Sequence, residues 1–186
     1  MSKSSSTIVA GFLICSTVAA CASQAQSHYS PPSHTVSVKD DQFEKSITLV
    51  GFPEQHEARY LGVDGTNRFF LRSWINKQTG AVQHQIYVSH TFNGGWIYWN
   101  SARDQDADAL EFVSISRDVV DCSGGCTETE IFGLTVLDAK LKKFAATGYS
   151  VKVSSRTGRE KILNITSEQI QKQLAAVETK RLASLH

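Results

Sequence analysis

Residues 68–103 read RFFLRSWINKQTGAVQHQIYVSHTFNGGWIYWNSAR, and this stretch decides the class of fold. Along Arg68–Asn76 and Val82–Phe92, β-branched and aromatic residues alternate with polar ones, which is the two-residue period of a strand. The segments KQTG (77–80) and NGG (93–95) supply turn residues between apolar runs. Because both connections are short, we predict that the strands flanking each of them are antiparallel neighbours.

The same period extends over most of the remaining chain. Two weakly alternating segments and five stronger ones complete the set of predicted strands: Thr35–Lys39, Ser46–Gly51, Trp96–Arg103, Leu110–Asp121, Thr127–Leu137, Tyr149–Arg156 and Arg159–Ile165. Strands that follow one another through short turns are typical of a meander.

Two segments change to a helical period. The shorter, Ala139–Thr147, follows Asp138, which is a good N-cap residue. The longer begins after Thr166, which with Gln169 matches a capping box. Its apolar stripe consists of Ile170, Leu174 and Val177. We therefore predict an α+β fold, a mostly antiparallel β-sheet (meander) with a short helix and a C-terminal helix packed on the sheet.

The composition excludes several classes of protein. The chain has 186 residues, 41% of them hydrophobic, which is enough for one core of ordinary size. The chain has 19 Lys and Arg residues and 18 Asp and Glu residues, and it has no long run of basic residues. A nucleic-acid partner is therefore not expected. No stretch of 18 apolar residues occurs, and we predict no membrane-spanning helix.

The N-terminus has the pattern of a signal peptide. Lys3 precedes the mostly apolar stretch Ile8–Val18, which would be only about 16 Å long as a helix and is a poor membrane span. The alternative is a buried N-terminal helix, but polar segments on both sides leave it without an apolar partner. Residues 1–20 are therefore predicted to be removed.

Val18-Ala19-Ala20-Cys21 resembles the lipobox of bacterial lipoproteins. The resemblance implies a diacylglycerol in thioether linkage to Cys21, cleavage before that residue, and usually a third acyl chain on the new amino group. Two or three acyl chains would hold the protein on a membrane essentially permanently. Under the sorting rule of enterobacterial lipoproteins, Ala22 implies the outer membrane.

The segment ASQAQSHYSPPSH (22–34) lacks charged residues and almost lacks large apolar ones. This composition is typical of a flexible tether. We therefore expect a lipidated N-terminus and tether over residues 21–34 and a single globular α+β domain over residues 35–186.

Cys122 and Cys126 are the cysteines that remain after processing and lipidation, in a compartment that oxidises thiols. The intervening SGG can turn the chain tightly, so a structural disulfide at the neck of a hairpin is predicted. A thioredoxin-type dithiol would have two intervening residues followed by a helix, and a zinc site would need two further ligands nearby.

Asp104, Asp106 and Asp108 match the first three ligand positions of a calcium-binding loop. Ala109 then stands where the loop needs glycine, and Ile115 stands where it needs a bidentate glutamate. A solvated acidic loop between two strands is therefore the preferred interpretation, with calcium as the alternative.

Two histidines, His84 and His90, fall on one face of a predicted strand. They are about 20 Å apart and cannot bind one ion together, so we predict partly buried, hydrogen-bonded side chains. The sequence contains no nucleophile elbow, phosphate-binding loop or evident acid–base pair. No catalytic residue, metal or cofactor is predicted, although a dispersed active site would leave no local motif.

WIYW (96–99) is the densest aromatic stretch. Strand alternation would place Trp96 and Tyr98 on one face and Ile97 and Trp99 on the other, which is typical of a central strand covered on both sides. The alternative is a ligand platform of Trp96, Tyr98 and Trp99 for a glycan or peptide.

These observations predict a lipid-anchored cell-envelope protein whose domain serves as a binding or assembly module in the periplasm. The expected location is the outer membrane of a Gram-negative bacterium, and the expected partners are the membrane, through the lipid anchor, and an envelope protein or glycan. The alternatives are an envelope glycan- or small-ligand-binding lipoprotein and an envelope enzyme without a recognisable motif.

Overall fold

The computed structural model describes residues 34–183. It has ten strands in one sheet and two α-helices. The strands are β1 (Ser37–Lys39), β2 (Ser46–Val50), β3 (Glu54–Gln55), β4 (Arg68–Asn76), β5 (Val82–Asn93), β6 (Trp99–Asp104), β7 (Ala109–Asp121), β8 (Thr127–Val136), β9 (Tyr149–Ser155) and β10 (Glu160–Ile165). The helices are α1 (Asp138–Phe144) and α2 (Ser167–Ala183). All pairings between these strands are antiparallel, and the α+β fold class is confirmed.

The order of strands in the sheet is β1-β2-β4-β5-β8-β7-β6-β9-β10, with β3 paired to β4. The predicted hairpin between β4 and β5 is present, with Ile75 opposite Val82. The prediction that residues 93–95 join neighbouring strands is wrong, because β5 pairs with β8 instead of β6. Gly94 and Gly95 have positive φ angles and lead the chain away from β5 to the other half of the sheet. The meander is therefore interrupted in its centre.

The sheet curls around one main core. Alternate residues of each strand point inward, as Phe69 and Leu71 do on β4 and Ile86 and Val88 do on β5. The inner side chains of β8 and β9 and the helix residues Leu141 and Ile170 complete this core. No helix among the described residues is long and apolar enough to cross a membrane.

The capping box of α2 is confirmed. The backbone N–H of Gln169 donates to Thr166 Oγ1 at 3.1 Å, and the backbone N–H of Thr166 donates to Gln169 Oε1 at 3.0 Å. The predicted stripe is right at Ile170 and Val177, which are buried, whereas Leu174 is only partly buried. The glutamines at 169 and 173 are buried in the helix–sheet contact instead.

These glutamines satisfy backbone groups beside β2. The amide of Gln169 donates to the carbonyl of Phe52, and that of Gln173 donates to the carbonyl of Leu49, each at 3.3 Å. A purely apolar helix face would leave these oxygens without that donor, and a buried polar group without a partner costs free energy.

Helix α1 begins one residue earlier than predicted. Asp138 is inside its first turn and is not the N-cap, a position that Leu137 occupies without a side-chain hydrogen bond. Gly148 follows the helix with a φ of +86°, and its N–H donates to the carbonyl of Phe144 at 2.9 Å. The helix therefore ends near the predicted glycine.

Candidate functional site

The aromatic segment at residues 96–99 is arranged differently from the expectation. Strand β6 begins only at Trp99, and Tyr98 has a left-handed φ of 59°. Trp99 is buried, and its indole N–H donates to His90 Nδ1 at 3.1 Å. Trp96 and Tyr98 stay partly exposed, with ring centroids 6.5 Å apart. The three rings therefore do not form one platform, and this part of the chain is not a strand covered on both sides.

A buried carboxylate holds this segment in place. Glu130 accepts hydrogen bonds from three consecutive backbone N–H groups, those of residues 97, 98 and 99, at 2.8, 2.7 and 3.0 Å. The guanidinium of Arg117 lies 3.5 Å from the same carboxylate and 5.4 Å from the Tyr98 ring centroid. Glu128, Glu130 and Phe132 are alternate residues of β8, so strand alternation places all three side chains on the inner face of the sheet. This spacing is the signal in the sequence.

A second polar cluster joins the segment after β3 to strand β10. His56 Nε2 donates to the carbonyl of Ser89 at 2.8 Å, which leaves Nδ1 to accept from the Lys161 ammonium at 2.9 Å. The same ammonium donates to Glu57. His90 Nε2 lies 3.4 Å from the other oxygen of this carboxylate. The sequence did not predict this cluster, because Lys161 is more than one hundred residues from His56 and Glu57.

Burial dominates the protonation of this cluster. It lowers the pKa of His56 to about 4 and that of His90 to about 3, and the charge of Lys161 adds to both effects. Burial also lowers the pKa of Lys161. Burial opposes ionisation of Glu57, but the ammonium and the histidines outweigh it and lower the pKa of that carboxyl. At neutral pH the cluster therefore consists of two neutral imidazoles around one ion pair.

His84 belongs to a chain of hydrogen bonds that runs from the buried Ser73 to the partly exposed Asp138. Its Nδ1 lies 2.7 Å from Ser73 Oγ and its Nε2 lies 3.2 Å from Asp138 Oδ1, while Gln173 donates to Ser73 Oγ at 2.8 Å. A serine, a histidine and an aspartate joined in this order by hydrogen bonds are the elements of a hydrolytic triad. Ser73 is fully buried inside the curled sheet, so its hydroxyl connects the helix to the strands and is not presented to a substrate.

The acidic loop at residues 104–108 is less solvated than expected. Asp104 is buried, and its Oδ1 accepts the backbone N–H groups of residues 106 and 108. The ammonium of Lys140 lies 2.9, 2.7 and 2.6 Å from carboxylate oxygens of Asp104, Asp106 and Asp108. The hydrogen bonds that the ammonium donates to Asp106, Asp108 and Asp104 raise the pKa of Lys140. The cation that the three aspartates hold is therefore a lysine side chain.

The Sγ atoms of Cys122 and Cys126 are 2.12 Å apart and form a disulfide between β7 and β8. The hairpin next to it is closed by Asp121 opposite Thr127. Gly125 has a φ of +108°, a conformation that favours glycine in the turn. Cys21, the expected site of lipid attachment, lies outside the described residues.

The outer face of β4 and β5 carries a half-buried row of cationic and aromatic side chains. The Arg72 guanidinium carbon lies 4.8 Å from the ring centroid of Trp74 and 4.9 Å from that of Tyr87. Phe70 stacks on Tyr87 with centroids 4.7 Å apart, and Arg68 lies over Phe70 at 5.8 Å. The alternation of β4 was recognised in the sequence, but the pairing that brings Tyr87 between Phe70 and Arg72 was not.

An open cleft of about 740 Å³ lies between the β4–β5 turn and the two helices. Its charged side chains pair with one another, Asp138 with Lys142 and Glu178 with Arg181. This cleft therefore presents little uncompensated charge.

No family model, curated protein or solved structure matches this chain.

Proposed function

We propose that this chain is a lipid-anchored protein of the bacterial cell envelope whose globular domain binds a partner and does not catalyse a reaction. The support for the anchor is the lipobox-like sequence ending at Cys21, followed by the uncharged tether. The proposed location is the outer membrane, for which Ala22 is the argument, with the domain facing the periplasm.

The observation that carries the binding role is the outer face of β4 and β5. Phe70, Arg72, Trp74 and Tyr87 are large side chains, and all of them keep part of their surface in solvent. A row of aromatic and arginine side chains that stays partly exposed is typical of an interaction surface, since these residue types supply most of the energy at interfaces.

This surface can be tested in cells by placing the photo-crosslinking residue p-benzoylphenylalanine at Tyr87. The matched control carries it at Ile162, which is exposed on β10, a strand that pairs with β9 and not with β4 or β5. We expect an adduct of higher mass in the membrane fraction from position 87 and none from position 162. Equal adducts from both positions, or none from position 87, would contradict a binding role for this face.

A second candidate function, hydrolysis, has the Ser73–His84–Asp138 chain in its favour. The burial of Ser73 argues against it, because a nucleophile must reach its substrate. A fluorophosphonate probe should leave the chain unlabelled, and labelling that Ser73→Ala removes would establish the hydrolase instead.

A further inference from the structure

Positive charge is concentrated on the outer face of β1, β2, β4 and β5. Residues that lie opposite one another in antiparallel strands share a face, so the register assigns Lys39, Arg68 and Arg72 to this side. The outward positions of these four strands include no Asp or Glu. Among the ion pairs of residues 34–183, none includes these three cations.

Arg72 is held in one position by neutral groups. Its Nε donates to Gln85 Oε1 at 2.9 Å, its Nη2 donates to the same oxygen, and two aromatic rings enclose the guanidinium. Gln85 is buried and lies flat over Gly133, where a Cβ would come within 2.2 Å of the glutamine amide carbon. The absence of a side chain at Gly133 therefore lets Gln85 fix the arginine.

This arrangement leaves the charge of Arg72 without an anionic partner. Burial disfavours the charged form and lowers the pKa of the side chain, and Gln85 cannot supply a negative charge. Within residues 34–183 no hydrogen bond involves Nη1, so part of the planar fork remains available. Carboxylates and phosphates both present oxygens that match that fork, and a carboxylate is the smaller, singly charged one.

Arg68 provides a second cation on the same strand. It lies four residues from Arg72, which is about 13 Å along a strand. Its Nε is buried and has no hydrogen-bond partner. Phe70 lies between the two arginines on this face, and Thr48 and Thr135 add hydroxyl groups in the rows of Trp74 and Gln85.

We propose that this face binds an acidic glycan, with Arg72 pairing with a sugar carboxylate and Trp74 and Tyr87 packing against the apolar faces of the sugar rings. The proposal rests on the proposed binding function and names its ligand class. Two separated cations with aromatic rings between them fit a chain of sugars that repeats its acidic group. A nucleic acid fits less well, because a formal net charge of +1 provides little attraction for a polyphosphate.

The test is isothermal titration of the full chain in detergent micelles with tetragalacturonate. The control ligand is its fully methyl-esterified form, which has the same sugar ring and no charge. We expect the acid to bind at least tenfold more tightly than the ester, and Arg72→Gln to reduce the affinity for the acid at least tenfold. Arg159→Gln makes the same change of charge in the exposed β9–β10 turn and should leave the affinity unchanged.

Gly133→Ala provides an independent variant that changes no charge. It should displace Gln85 and weaken binding several-fold. If Arg72→Gln or Gly133→Ala melts at a lower temperature than the parent, Arg68→Gln on the same face is used in its place. We expect Arg68→Gln to reduce the affinity for tetragalacturonate at least threefold.

Equal binding of acid and ester, or an Arg72→Gln variant that is correctly folded and binds as the parent does, would overturn the proposal. Absence of binding to tetragalacturonate would also overturn it, while a crosslink at position 87 would still support the wider binding role. Failure of the ligand class and failure of the proposed function are thus separate outcomes.

Discussion

Glu130 shows how one buried carboxylate directs the backbone around it. Its three N–H donors belong to residues 97–99, and the left-handed Tyr98 lies among them. Because a carboxylate accepts several hydrogen bonds at once, it satisfies three backbone N–H groups that donate to no strand. The crossing from β5 to β6 therefore depends on this residue.

Replacing Glu130 by Ala should leave three N–H groups without an acceptor, those of Ile97 and Trp99 buried and that of Tyr98 partly buried. Each such group costs about 1–3 kcal/mol, so we expect the free energy of unfolding to fall by about 3 kcal/mol or more, measured by urea denaturation. Glu128→Gln is the matched control, since Glu128 Oε2 is buried without a partner and little should be lost. Equal losses from the two substitutions would contradict the role assigned to Glu130.

The histidine cluster makes stability depend on pH in a defined direction. The pKa of His56 is about 4 and that of His90 about 3 in the folded chain, against 6.5 for an unperturbed side chain. Between these values the unfolded chain binds more protons, so the stability present above pH 6.5 is lost as the pH falls.

The corresponding measurement is the melting temperature from pH 7.5 to pH 5, above the range in which most carboxylates titrate. We expect a progressive decrease for the parent and a smaller decrease for the double variant His56→Gln, His90→Gln. A smaller effect should remain, because burial also lowers the pKa of His84. Identical slopes for parent and double variant would rule out the cluster as the origin.

At the residue scale, the sequence supports some assignments and not others. The inward orientation of Glu130 can be predicted from its two-residue spacing to Phe132, since strand alternation is local. The contact between His56 and Lys161 cannot be predicted from the sequence, because it depends on how the sheet curls. The position of the Lys140 ammonium among the three aspartates depends on the same long-range folding, whereas the sequence predicts a solvated loop with calcium as the alternative.

At the scale of secondary-structure elements, α2 contacts the sheet through a mixed face. Ile170 is fully buried, whereas Leu174 lies partly open at the cleft beside the β4–β5 turn. Gln173 occupies the position where an apolar residue would be expected and joins the Ser73–His84 chain to the helix. The sequence pattern places the helix correctly. The centre of its contact with the sheet lies at Gln173, one residue before the predicted Leu174.

Alanine substitutions can distinguish these positions. Ile170→Ala should cost about 2–5 kcal/mol, the usual range for a buried isoleucine, while Leu174→Ala should cost about 1 kcal/mol. Urea denaturation of both variants gives the two values. A Leu174→Ala loss as large as that of Ile170→Ala would place Leu174 at the centre of the contact.

The Cys122–Cys126 disulfide closes a short loop, so its contribution should be modest. Replacing both cysteines by serine should lower the free energy of unfolding by about 2 kcal/mol in the loop-entropy description. The fold should survive, because β7 and β8 pair along most of their length. Efficient reduction of insulin by the purified protein would instead indicate a redox function for this pair.

Element types were predictable, and the order of strands was not. The β4–β5 hairpin follows from its turn residues, and the start of α2 follows from the capping box. The pairing of β5 with β8 joins residues about forty positions apart. It places β8 beside β5, where the short turn predicts β6. Short-range patterns contain no information on that choice, which depends on the buried contacts of the whole sheet.

At the scale of the whole molecule, buried ionisable groups differ from those on the outer face of β4. Inside the curled sheet, Glu130 and His90 have protein partners, although one oxygen of Glu128 does not. On the outer face of β4, Arg68 and Arg72 have no anionic partner within the described residues.

The proposed envelope location depends on export and on acylation of Cys21, and contact with the proposed glycan depends on export. The most direct test is the mass of the N-terminal peptide of the mature protein, combined with fractionation of cells that express the parent or Cys21→Ala. We expect the parent to begin at Cys21 with the added mass of two or three acyl chains and to sediment with membranes, and the variant to remain unacylated. A mature parent that is soluble and has an unmodified Cys21, or a variant that is acylated and membrane-bound like the parent, would contradict the account.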